Sequence, residues 1–69
     1  MSTEYVNVLE KILFLEGQLS DQHIGYARQE SNYNPKGEFN DIRILKHYLD
    51  RLETYFAFRV IKKKGDLIK

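Results

Sequence analysis

Glu16, Ser20 and His23 place a carboxylate, a hydroxyl and an imidazole in one short stretch, the three side-chain types of a hydrolytic triad. On a helix they project into one apolar arc. A serine nucleophile also needs an oxyanion site and a strained, exposed perch, and a mid-helix serine has neither. The expected role is therefore structural, a half-buried polar layer that sets the register between helices. His47 and Asp50 stand at i, i+3, a spacing that bundle metal centres use. Those centres repeat Glu-x-x-His on facing helices, and this chain has no such motif. With two histidines and no cysteine, neither a metal nor another cofactor is expected.

Charge is distributed unevenly. From Arg59 onward the balance is +4, and before it −3, giving the net +1 of the whole chain. The basic end, Arg59 with Lys62, Lys63 and Lys64, offers an electrostatic contact to nucleic acid. Three successive lysines spread around a helix, so termination of the helix dipole explains them as well. Asp41 and Arg59 are the two charges inside the apolar arc of the second half. An antiparallel crossing of two copies near residue 50 would set Asp41 against the partner's Arg59 and select that arrangement.

Five tyrosines and four phenylalanines are many for 69 residues. Tyr33 and Phe39 bracket the central loop, with Arg28, Lys36 and Arg43 nearby, a composition typical of binding hot spots. Phe14 falls on the polar side of the first helix, where another protein surface would cover it.

The elements that must carry these residues are helical. Tyr5, Val8, Ile12, Leu15, Leu19 and Tyr26 form one stripe at helical spacing; Phe39, Ile42, Leu45, Leu49, Leu52, Phe56 and Val60 form a second. Thr3 is placed to cap the first helix. Gly17 interrupts it, and two readings follow: a continuous helix over about 4–30, or a stop at Gly17 and a restart from Ser20 or Asp21. Continuity is expected, because Leu15, Leu19 and Tyr26 stay in phase across the glycine. Residues 31–37 are a breaker cluster around Pro35, so the loop spans about 31–39. A second helix over about 40–64 follows, capped by Asn40 or Asp41 and ended by Gly65 before a short basic tail.

The expected fold is all-α, one domain over residues 1–69, an antiparallel two-helix hairpin with residue x opposite about 68 − x. Both apolar bands exceed the ~100° arc that one surface helix buries. A hairpin would leave Leu9, Leu13, Ile44, Tyr48, Tyr55 and Phe58 as an oligomer interface, with Asp41 and Arg59 at its ends. A homodimer forming a four-helix bundle would cover them, a common remedy for a short chain without disulfides.

In outline the layout resembles the short helical-hairpin phosphatases that act on sporulation response regulators, whose signature is Ser-Gln-Glu-Leu-Asp. The aligned stretch here is Lys46-His47-Tyr48-Leu49-Asp50, which keeps only Leu49 and Asp50, so the activity is not carried over. The start lacks the basic and apolar regions of a secretory signal and no apolar run approaches the roughly 18 residues of a membrane span, so a cytoplasmic protein is expected, with no membrane partner. The functional expectation is a small non-enzymatic adaptor or inhibitor that binds another protein as a homo-oligomer, in the manner of bacterial and phage regulators. The alternative is a nucleic-acid-associated protein using the basic end.

Overall fold

The computed structural model describes residues 3–37 and 41–68, with side chains through Arg59. Three helices account for most of it: α1 (Thr3–Glu16), α2 (Asp21–Ser31) and α3 (Ile42–Ile68), with no strand among the described residues. The long dimension of 46 Å is set by α3, whose 27 residues span ~40 Å at the α-helical rise.

The first half is two helices rather than one. At the end of α1 the Gln18 amide bonds the Leu15 carbonyl at 2.9 Å, a tightened turn. Ser20 is then extended (φ −71°, ψ 156°), and its Oγ accepts from the His23 amide at 3.4 Å, capping α2. Gly17 does not force this break. No glycine among the described residues has positive φ, and a Cβ at Gly17 would lie 3.4 Å from the Phe14 carbonyl, an ordinary contact. The serine cap makes the break. Gly17→Ala should therefore keep the turn, whereas Ser20→Ala should lower stability by ~1 kcal/mol in urea melts. The reverse order of effects would contradict this assignment.

Asn32 ends α2 in the left-handed region (φ 62°, ψ 20°), which asparagine tolerates. Asn34 turns the loop: its side chain accepts from the Lys36 amide at 3.0 Å and its carbonyl from the Gly37 amide at 2.9 Å. Asp41 caps α3, its Oδ1 accepting from the Ile44 amide at 3.0 Å. Two expected boundaries shift. Thr3 is already helical rather than a cap, and α3 continues through Gly65 to Ile68.

The topology follows from the pairs that bridge helices. Glu4 pairs with Lys46 near the start of α3, and Arg59 donates to the Gln18 carbonyl just beyond α1. So α1 runs in the same sense as α3. Along α2, His23 lies beside Tyr55 and Glu30 binds Arg51, so α2 runs the opposite way. The register x with 68 − x does not hold: it would put Glu4 near residue 64, not Lys46. The sharp turn is at residues 17–20, and α3 lies against both arms of the resulting hairpin.

Having two neighbours explains the broad apolar band of α3. Leu45, Tyr48, Leu49 and Leu52 are buried against Val8, Ile12 and Leu15 of α1 and Ile24 and Ala27 of α2. Tyr48, expected at an oligomer interface, is fully buried within one chain. Ser31 is the buried polar residue of this core among the described residues; its Oγ donates to the Ala27 carbonyl at 2.7 Å and accepts from the Tyr33 amide at 3.3 Å. A serine so satisfied costs little to bury.

Candidate functional site

Helical spacing on α2 and α3 builds one continuous face. His23, Tyr26 and Glu30 stand at i, i+3, i+7 on α2, while Arg51, Tyr55 and Phe58 stand at i, i+4, i+7 on α3. Because α2 and α3 run in opposite senses, the two rows meet side by side. The His23 and Tyr55 rings are 5.4 Å apart, and Tyr26 lies 6.3 Å from each of them. The Arg51 guanidinium stands 5.7 Å from the centre of the Tyr55 ring. Glu30 holds the rows together: its carboxylate accepts from the Tyr55 hydroxyl at 2.8 and 2.9 Å and from Arg51 Nε at 3.0 Å. The Tyr26 hydroxyl accepts from Gln22 at 2.9 Å. Phe58 remains 65 % exposed and Tyr26 44 %, next to an open concavity of 400 Å³ lined by His23, Tyr55, Phe58 and Arg59.

The electrostatics follow from these bonds. The Tyr55 hydroxyl and then Arg51 hold the Glu30 carboxyl below the ordinary carboxylate range. Reciprocally, Glu30 raises Tyr55 and Arg51. At the start of α3 the Ile44 amide lowers Asp41. A carboxyl depressed in the folded state adds stability above its unfolded pKa and loses it as pH falls through the folded value. The melting temperature should therefore fall on acidification below about pH 4, and Glu30→Gln should reduce that dependence. An identical acid profile for the variant would contradict the role of Glu30.

Glu16, Ser20 and His23 do not converge. Ser20 Oγ lies 2.8 Å from His23 Nδ1, but Glu16 accepts from the Tyr48 hydroxyl at 2.6 Å and faces Arg28 Nη2 at 3.7 Å. The hydroxyl–imidazole contact reinforces the cap of α2, and among the described residues no carboxylate bonds the ring to orient it. Glu16 instead anchors an interior polar group, in which burial first and the Glu16 bond second push the Tyr48 phenol up. Tyr33 stacks on Tyr48 with ring centres 4.2 Å apart and planes at 4°, and burial raises its phenol too.

No protein-family model, curated protein or solved structure matches this chain.

The other expected site residues are dispersed. Of the loop patch, Tyr33 and Arg28 turn inward, Lys36 and Arg43 are exposed, and Arg43 pairs with Asp41 at 3.4 Å. Phe39 lies outside the described residues. Of the oligomer set, Leu13 is 67 % exposed and Leu9, Ile44 and Tyr55 are half-buried. Of the pair expected to cross between copies, Asp41 accepts from the Ile44 amide and Arg59 donates to the Gln18 carbonyl, and both residues are exposed. The side chains of Lys62, Lys63 and Lys64 lie outside the described residues. Asp50 faces Arg51 at 3.8 Å, and among the described residues no three potential ligands group around a metal position. Nor is any helix, among the described residues, long and apolar enough to cross a membrane.

Sequence reasoning missed Tyr26, Glu30 and Arg51 as members of one face. By spacing Tyr26 continues the core stripe of α1, and only the break at Ser20 turns it outward. The opposite charges of Glu30 and Arg51 were a visible signal, but pairing them required the antiparallel α2–α3 register.

Proposed function

We propose that this protein is a non-enzymatic binding protein, an adaptor or inhibitor, that docks another protein on the α2–α3 face. The observation that carries this reading is the exposure of Phe58 and Tyr26 on a face whose Tyr55 ring and Arg51 guanidinium are held by Glu30. Tyrosine and arginine dominate interface hot spots, and side chains already fixed lose less entropy on binding. Self-association belongs to the same reading, because Leu13 and Phe14 of α1 also remain more than half exposed, at 67 % and 63 %.

The test is capture from host lysate by the wild type and by a Tyr26→Ser, Phe58→Asp double variant. Both positions are exposed, so the helical circular dichroism should be unchanged. A partner retained by the wild type should be held at least roughly tenfold less by the variant, the loss of a hot spot. Equal retention by both proteins would contradict this docking face.

A further inference from the structure

Between α1 and α3, on the flank away from α2, lies an open groove of 520 Å³. Its lining brings Leu15 and Phe56 together with Glu10 and Lys11 of α1 and Glu53 of α3, and Phe14 stands at its edge, 63 % exposed. Glu10 comes from one wall and Glu53 from the other. Among the described residues neither has an ion-pair partner, and Lys11 is the only cation in the lining. An apolar slot flanked by unpaired carboxylates suits a segment that carries apolar and basic residues together.

We propose that this groove receives the basic end of α3 from a second copy of the chain, a proposal that rests on the self-association reading above. Arg59 reaches the Gln18 carbonyl, so α3 is level with the α1–α2 turn at that residue. The helix continues to Ile68, ~13 Å further. In sequence this stretch holds Val60, Ile61, Leu67 and Ile68 with Lys62, Lys63 and Lys64 against a single acid, Asp66. This stretch carries apolar and basic residues together, and the +4 end complements the −3 remainder. An antiparallel crossing of two α3 helices about residue 58 sets residues 60–63 of one copy opposite residues 53–56 of the other. By symmetry both grooves fill at once, so the contact closes as a dimer rather than propagating.

Sedimentation velocity on the full chain tests this at low and high salt. The wild type should dimerise at micromolar concentration in low salt and dissociate as salt screens the charges. Reversing the groove (Glu10→Lys with Glu53→Lys) or the end (Lys62→Glu with Lys64→Glu) should each weaken dimerisation roughly tenfold or more. Combining the two reversals should bring it back to within about threefold of wild type. Phe14→Ser, at an exposed edge, should weaken it without unfolding the chain. A dimer indifferent to all these changes overturns the groove while self-association stands. A chain that stays monomeric in low salt at every concentration overturns both.

Discussion

Tyr48→Ala is expected to remove cooperative unfolding at room temperature. The ring is fully buried, stacks on Tyr33 at 4.2 Å and ties α3 to α1 through Glu16 at 2.6 Å. Truncating a buried aromatic costs ~3–5 kcal/mol, and a core this small supplies ~3–5 kcal/mol in total. Tyr48→Phe separates the two parts of the effect. It keeps the ring and strips one donor from Glu16, a loss of ~1–3 kcal/mol. The lower end is expected because Arg28 stays 3.7 Å from that carboxylate. Urea melts followed by circular dichroism decide the matter. Were Tyr48 a wet flank awaiting a second copy, the alanine variant would unfold within about 1 kcal/mol of wild type.

Ala27→Leu has the next largest expected effect. Ala27 is fully buried, where α2 packs on α3 beside Leu45, Tyr48 and Leu52. Added methylenes in a filled core force side chains off their rotamers and cost ~1–3 kcal/mol. Tyr26→Ala is the counterpart, since a residue 44 % exposed should lose far less than a core aromatic. One continuous first helix reverses this order, because its stripe points Tyr26 inward and moves Ala27 to the flank. Melting both variants side by side therefore reports on the break at Ser20. A larger loss for Tyr26→Ala would contradict it.

The helical class and the loop around Pro35 were legible because periodicity and breakers act locally. The Asp41 cap was legible for the same reason. The break at Ser20 is harder to read from sequence than the alternative of a continuous helix. Tyr26 continues the stripe of α1 in phase, but the line that α2 buries is Ile24, Ala27 and Ser31. An alanine and a serine leave no hydrophobic signal, and Ser31 is admitted by backbone hydrogen bonds that its residue type does not reveal. The wide band of α3 was also legible, but it had two physical solutions, a second copy or a second helix of the same chain. Once α2 occupies the Tyr55 flank, most of the surplus is covered from within. What stays outside among the described residues is narrower: Phe58 and Tyr26 on one side, and Val6, Leu13 and Phe14 on α1. The candidate face was hidden because Glu30, Arg51 and Tyr55 meet only in the observed register.

The sense of α1 along α3, with α2 returning beside it, is the foundation for both proposed surfaces. The absence of native cysteine allows a direct measurement by double electron–electron resonance. Spin labels would replace Glu4 and Lys46, which face each other across α1 and α3, in a chain diluted with unlabelled protein. The three-helix arrangement predicts a label separation below about 20 Å, since facing helices lie ~8–10 Å apart. A two-helix hairpin sets residue 4 opposite residue 64, which moves Lys46 ~27 Å along the axis. A distribution centred near or above that longer distance would contradict the account.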